Sequence, residues 1–327
     1  MKILVTGGAG YIGSFIVREL KKEGYNTVIV DNLSSGHKQA VTGFKLIKLD
    51  LVNDKEKLND LFKKEKFDGV IHMASYIQMG ESFEKPLKYF HNNLVSSINL
   101  FDVMRENGVN NLVFSSSAGV YGNPKRLPIK EDDNKNPENP YGETKLMIER
   151  VLYWCDKAWG LKSISIRYFN AAGGALDGSI GEDHPNESHL IPLAITAAIK
   201  GKMFKIFGND YDTPDGTCIR DYIHVIDLAK SHTLALKNLM KGRESNYYNA
   251  GLGKGYSNLE IIRMIKKVTG LNCKVSFIKR RPGDTAVLYA SNQKIKIELG
   301  WKSKYALEEI IESAYLWHKN NPKGYKS

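Results

Sequence analysis

Along the first half of the chain, short apolar runs alternate with longer stretches in which apolar residues recur every three or four positions. The runs fall at residues 3–5, 27–30, 44–49, 69–73, 111–116 and 163–167. Helical patterns lie between them at residues 11–22, 54–64, 86–107 and 141–159. Short, continuous apolar runs fit strands buried on both faces, as in a parallel sheet. Strands that alternate with helices predict an α/β fold with a doubly wound parallel (Rossmann) sheet and right-handed crossovers.

The second half has a different texture. Residues 170–185 are rich in Gly, Ala and Asp without periodicity, which predicts a long functional loop. Helical patterns return at residues 191–200, 226–240, 258–269 and 307–320, with short strands at 203–207, 246–250 and 274–278. The expected layout is a first domain over residues 1–170, completed by 225–250. A smaller mixed α/β lobe is built from 171–224 and 251–327, and a cleft separates the two.

Composition narrows the partners. The formal net charge of +11 comes from lysines interspersed with acids, as in Lys63-Lys-Glu-Lys66, not from a basic stripe. Nucleic acid is therefore not an expected partner, whereas an anionic small substrate suits the balance. The three cysteines, Cys155, Cys218 and Cys273, are far apart and imply neither a disulfide framework nor a zinc site, so no metal is expected. No apolar run reaches membrane-spanning length, and the N-terminus lacks a signal-peptide pattern, so a cytoplasmic setting without membrane contact is expected.

The first run leads at once into Gly7, Gly8, Gly10 and Gly13, then into a helical pattern. Strand, glycine turn and helix in that order let backbone N–H groups approach a pyrophosphate at the positive end of the helix. The second run ends in Asp31, placed to bond adenosine ribose hydroxyls and to repel a 2′-phosphate, which selects NAD over NADP. Asp50-Leu51 and His72-Met73-Ala74 close two further strands, where ligands of such sheets collect.

A second informative stretch is Pro140-Tyr-Gly-Glu-Thr-Lys145, which sets Tyr141 and Lys145 one turn apart on a helix face. Lowering a phenol from about 10 to about 7 takes roughly 4 kcal/mol. An ammonium ~5 Å away at an effective dielectric of ~20 supplies about 3 kcal/mol. An oxidised nicotinamide nearby adds positive charge, so the three make a plausible general base. Tyr-x-x-x-Lys recurs at Tyr121/Lys125, Tyr153/Lys157 and Tyr315/Lys319, but only Tyr141/Lys145 opens a helix beside the expected cofactor sheet. The third stretch is the serine run Ser115 to Ser117 at the end of an apolar strand, where a hydroxyl can donate to a substrate oxygen. No Gly-x-Ser-x-Gly elbow is present, which argues against a serine hydrolase triad.

Together these stretches resemble the extended short-chain dehydrogenase/reductase family, and within it the nucleotide-sugar 4-epimerases. The more specific matches are Gly80-Glu-Ser82, Arg167-Tyr-Phe-Asn170, Ile206-Phe-Gly-Asn-Asp-Tyr211, the stretch Asp215 to His224, and Arg281-Pro-Gly-Asp284. The resemblance implies reversible epimerisation at C4 of a UDP-hexose (UDP-galactose to UDP-glucose, in galactose metabolism) with tightly bound NAD. Tyr141, Ser117 and Lys145 would be catalytic. Cofactor contacts would come from Gly7, Gly10, Tyr11, Ile12, Gly13, Asp31, Asn32, Asp50, Leu51, Ala74, Asn92, Ser115 and Phe169, with Tyr141 and Lys145.

For the substrate, the resemblance implies Arg220 and Arg281 on the diphosphate and Asp284 on the uridine ribose. Phe207, Tyr222 and Leu190 would line the uridine site, Asn170 would sit near the diphosphate, and Leu288 beside the sugar. A homodimer through the helices at 86–107 and 141–159 is also implied. The chain departs from the usual pattern at Ile77, Gly119, Leu288 and His189. Leu288 stands where Tyr is common, which leaves room for an N-acetyl group, and His189 is expected to be an ordinary loop histidine. Alternatives are a UDP-N-acetylglucosamine or UDP-glucuronate 4-epimerase, a UDP-glucuronate decarboxylase, or a non-catalytic NAD-binding scaffold. Ala118-Gly119 after the serine run argues against a 4,6-dehydratase, which needs an Asp-Glu pair there.

Overall fold

A computed structural model describes residues 1–281 and 283–325; Pro282 of the arginine-bearing stretch lies outside the described residues. The chain starts with β1 (Lys2–Thr6), α1 (Tyr11–Lys22), β2 (Asn26–Asp31), β3 (Lys45–Lys48), α2 (Lys55–Glu65) and β4 (Gly69–His72). Next come α3 (Met79–Glu84), α4 (Pro86–Glu106), β5 (Asn111–Ser115), α5 (Pro140–Trp159), β6 (Lys162–Tyr168) and β7 (Asn170–Ala172). Then follow α6 (Leu190–Ile199), β8 (Phe204–Phe207), β9 (Ile219–His224), α7 (Val225–Leu239), β10 (Asn246–Ala250) and β11 (Gly255–Ser257). The last elements are α8 (Asn258–Thr269), β12 (Val275–Ile278), β13 (Val287–Leu288), α9 (Gln293–Leu299) and α10 (Leu307–Asn320).

Seven strands form one sheet in the order β10-β6-β5-β4-β1-β2-β3. Every neighbouring pair runs parallel. The apolar runs are buried on both sides because helices cover both faces. On one face, Phe15, Ile16 and Leu20 of α1 meet Leu228 and Leu236 of α7. On the other, Leu58 and Phe62 of α2, Leu100 and Met104 of α4, and Leu152 of α5 form a second apolar layer. Strand order reverses direction at β1, between β2 and β4, and the crevice outside the carboxyl ends opens there, as expected for this topology. After β6 the chain leaves the sheet, and it returns through α7 to add β10 as the edge strand.

Outside the seven-stranded sheet, the described residues form two small sheets. One follows the order β11-β9-β13, with β7 also paired to β9, and the other is β12-β8. A further apolar core gathers Ile191 and Ile195 of α6, Ile261 and Ile265 of α8, and Ile310 and Ile311 of α10. Among the described residues, no helix is long and apolar enough to cross a membrane.

Two local expectations change. The segment 170–185 is not loop throughout, because β7 occupies its first three residues and pairs with β9 from Asn170↔Tyr222 to Ala172↔His224. The strand β9 itself has no apolar run to announce it. Its polar residues are buried instead, with the Asp221 carboxylate accepting N–H bonds from Leu252, Gly253 and Ala290. Backbone donors satisfy that carboxylate, so a polar strand sits in the interior.

Candidate active site

A cavity of about 930 Å³ runs from the glycine turn after β1, past the start of α5, to β9 and the segment before β13. At the first end, the Gly10 N-cap gives α1 no side-chain cap, and its first turn has no acidic residue. The helix dipole and leading N–H groups there are left to an anion. Gly7 has φ +67°, and a Cβ on Gly13 would stand 2.2 Å from Gly7 O, so this turn tolerates only glycine at both places. The Asp31 carboxylate is fixed by N–H bonds from Ala9 (3.0 Å) and Leu33 (2.8 Å). Burial pushes its pKa up, while those two bonds pull it down. Uncapped helix, glycine cradle and fixed carboxylate together fit the pyrophosphate and adenosine ribose of NAD.

In the middle of the cavity, Asn139 caps α5 by accepting a bond from Gly142 N (2.8 Å). A Cβ on Gly142 would lie 2.6 Å from Gly119 O, so the bare glycine lets the helix start press against the turn after Ser117. Tyr141 and Ser117 consequently line one stretch of the cavity wall. Lys145 is buried behind Tyr141, with Nζ donating to Ser115 O (2.8 Å) and lying 5.7 Å from the Tyr141 ring centre.

Electrostatics here differ from the simple pairwise sum. Burial, with a smaller push from Tyr168, holds the Tyr141 phenol well above its ordinary value, and the Ser117 hydroxyl opposes this. Burial also pulls Lys145 down to about 7, against the attraction of Glu149. Desolvation is the leading cause for both groups, raising the phenol and lowering the ammonium. The protein alone keeps Tyr141 protonated, and a further positive charge beside it is what its use as a base requires.

At the far end, Arg220 Nη2 lies 3.3 Å from Asp284 Oδ1. The Arg281 guanidinium stacks 3.9 Å from the Phe207 ring centre, so this face of Phe207 is covered. Among the described residues, no carboxylate lies within ion-pair distance of Arg281. Asn170 Nδ2 donates to Asp221 O (2.8 Å), which ties it to β9.

Of the residues singled out from sequence, the cavity is lined by Gly7, Gly10, Tyr11, Ile12, Gly13, Asp31, Asn32, Asp50, Leu51, Ala74, Asn92 and Phe169. It is also lined by Ser117, Tyr141, Asn170, Leu190, Phe207, Arg220, Tyr222, Arg281, Asp284 and Leu288. Lys145 and Ser115 are not in this wall; they lie directly beneath it, bonded to each other. The departures Ile77, Gly119 and His189 line it as well. Missed from sequence were Tyr168, Lys88, Cys218, Glu182 and His184, all of them lining residues. Only Glu182 and His184 had a visible signal, a run with two histidines and three acids over residues 182–189.

A Rossmann sheet with a nucleotide cradle at its switch point, and a buried Tyr/Lys pair beside it, defines a nucleotide-dependent enzyme of the short-chain dehydrogenase/reductase kind. The model of the NAD dependent epimerase/dehydratase family matches residues 3–251, and the chain belongs to that family. A UDP-glucose 4-epimerase of Lactobacillus helveticus is 49% identical over 100% of this chain and 99% of its own length. The crystal structure of UDP-glucose 4-epimerase from Brucella ovis in complex with NAD superposes with a TM-score of 0.93 at 43% identity, covering 96% of this chain and 97% of that one. That of Bifidobacterium longum, in complex with NAD+ and UDP, gives a TM-score of 0.95 at 38% identity over 99% and 100% of the two chains.

Proposed function

We propose that this chain interconverts UDP-galactose and UDP-glucose by inverting C4 of the hexose, with NAD retained in the cavity between turnovers. One observation carries the reading: a single cavity joins the glycine cradle, the Tyr141–Ser117 wall and the Arg220/Arg281 end. Full-length similarity to proteins named UDP-glucose 4-epimerase supports it. When bound, oxidised nicotinamide supplies a hydride acceptor and a positive charge beside Tyr141. Tyr141 takes the proton of the sugar 4-hydroxyl and later returns it. Ser117 donates to the same oxygen and fixes its distance from the phenol. Lys145, anchored on Ser115 O, favours the phenolate and would hold the nicotinamide ribose once the cofactor is bound.

Arg220 and Arg281 hold the diphosphate, a bidentate task suited to guanidinium. Asp284 takes the uridine ribose. For uridine to use the Arg281 side of Phe207, Arg281 moves off the ring toward the phosphates. A nucleotide held this firmly leaves the sugar free to turn and present its other face. Leu288 leaves room beside the sugar for an N-acetyl group. The test is incubation of purified protein with UDP-galactose, UDP-N-acetylgalactosamine and UDP-glucuronate, without added cofactor, read by proton NMR. UDP-glucose formation supports the reading, and absence of product from protein that carries NAD refutes it.

The reading extends to a homodimer through α4 and α5. On α5, Leu146 and Leu152 are buried within the single chain, whereas Trp154 is 67% exposed. Tyr153 and Ile98 add exposed apolar surface on the same two helices. Sedimentation of the purified protein at the mass of one chain would refute this pairing. The cytoplasmic setting rests on Cys155, Cys218 and Cys273 all being free thiols.

A further inference from the structure

We propose that Glu182, His184, Glu187 and His189 form a binding site for a divalent transition-metal ion of the zinc class, on the segment between β7 and α6. Each of these side chains offers one ligand atom, and all four atoms lie within 4.8 Å of one another. Both histidines turn Nδ1 toward the carboxylates of Glu182 and Glu187. His189 Nδ1 is 2.8 Å from Glu182 Oε1 and 2.8 Å from Glu187 Oε1. His184 Nδ1 is 3.4 Å from Glu182 Oε1 and 3.1 Å from Glu187 Oε2. Tetrahedral zinc, with bonds of about 2.0–2.2 Å, holds its ligand atoms roughly 3.4 Å apart. The four histidine-to-carboxylate distances, 2.8 to 3.4 Å, lie close to that spacing.

Hydrogen bonding alone leaves the cluster unsatisfied. Each Nδ1 carries at most one proton, and both Nδ1 groups bond to Glu187. One Nδ1 proton on His189 is thus shared between two carboxylates, and Glu182 Oε1, 2.8 Å from that nitrogen, has it as an ion-pair partner but makes no well-formed hydrogen bond of its own. Glu182 is only 4% exposed, so its carboxylate is largely withdrawn from bulk solvent. A buried carboxylate oxygen aimed at two imidazoles and a second carboxylate is answered by a cation at their centre. Two imidazole nitrogens and two carboxylate oxygens suit zinc, whereas magnesium and calcium favour oxygen ligands throughout.

The site has a place in the architecture. His189 is the residue before α6, and Glu182, His184 and His189 all line the large cavity. Tyr11, from the nucleotide turn, lies edge-on to His184 at 6.3 Å and donates to Gly173 O (2.7 Å). An ion held here ties the loop to the start of α6, and so braces that wall of the cavity.

The test uses the NAD-bound protein as purified, freed of metal by dialysis against a chelator and then titrated with zinc chloride in a calorimeter. The expected result is one tight site per chain, with a zinc-dependent rise in melting temperature. In His184→Ala/His189→Ala, affinity should fall by more than the roughly 10- to 100-fold that loss of an outer-shell partner costs. Cobalt(II) chloride should give the visible absorption of a tetrahedral site without a thiolate charge-transfer band. If the double variant loses NAD or its native circular dichroism, Glu182→Gln replaces it, and the cobalt spectrum of the unaltered chain decides independently. No stoichiometric zinc binding, no tetrahedral cobalt band, or unchanged affinity in a folded variant would each overturn the proposal.

Discussion

Arg167→Met should be among the most damaging single substitutions outside the cavity. Arg167 Nε and Nη2 bond Glu149 at 2.9 and 2.6 Å, while Nη1 bonds the Tyr121 hydroxyl (2.9 Å) and Glu131 O (3.1 Å). Both side chains are about fully buried, at 2% and 3% exposure. Burial works against the Arg167 charge, but Glu149 more than restores it and keeps the guanidinium protonated. Methionine fills similar length and leaves Glu149 with Ser116 Oγ as its remaining side-chain donor. Breaking a buried pair in this way costs about 3–5 kcal/mol. Against a total of about 5–15 kcal/mol, that is a large share.

The assay is urea unfolding of the NAD-bound protein, followed by far-UV circular dichroism and tryptophan fluorescence together. A double-mutant cycle with Glu149→Met should return a coupling of at least ~1.5 kcal/mol, because the paired replacement leaves no uncompensated charge. A cost for Arg167→Met below about 1 kcal/mol, or a coupling below about 0.5 kcal/mol, would refute the reasoning. Activity should fall too, because Glu149 shares α5 with Tyr141 and Ser116 precedes Ser117.

Further outcomes follow from the same geometry. Tyr141→Phe should lower kcat by about 10²- to 10⁴-fold with NAD content unchanged, and retained turnover would remove Tyr141 from its role. Gly13→Ala, whose new Cβ meets Gly7 O at 2.2 Å, should yield protein with little or no NAD; full occupancy measured by absorbance would contradict the cradle. Lys45 and Lys2 hold Glu65 below its ordinary 4.5, at about 2. A lowered carboxyl pKa means stability that is present above pH 4.5 and lost as pH falls toward 2. Glu65→Gln should therefore be less stable than the parent at neutral pH and equal to it near pH 2, and a constant gap across that range would sink the assignment.

Much of the first sheet was legible because strands buried on both faces must be written in continuous apolar residues. The same logic hides β9, whose buried Asp221 is satisfied by backbone N–H groups and not by apolar packing. At the site, Gly7, Gly10, Gly13 and Asp31 were readable because local backbone geometry dictates them. Arg167 stood inside a recognisable stretch, but its partner Glu149 lies on the preceding helix and sequence spacing does not reveal the pair. The covering of Phe207 by Arg281 was equally hidden, since it depends on where separate segments meet. His189 looked ordinary because its neighbours Glu182 and Glu187 converge on it only once the loop has folded back.

The late return of α7 and β10 to the first sheet has a bearing on biogenesis. When a ribosome has released only the residues through β6, that strand presents a bare row of backbone donors and acceptors, later capped by Asn246–Ala250. Phe15 and Ile16 of α1 are likewise without their partners on α7. Such an intermediate is adhesive, and the nascent polypeptide must shelter it while the intervening segment is made. The seven-stranded sheet is therefore incomplete until the residues of β10 have been made. A gene cut at the apparent boundary after β6 should yield an aggregating fragment, not a working half.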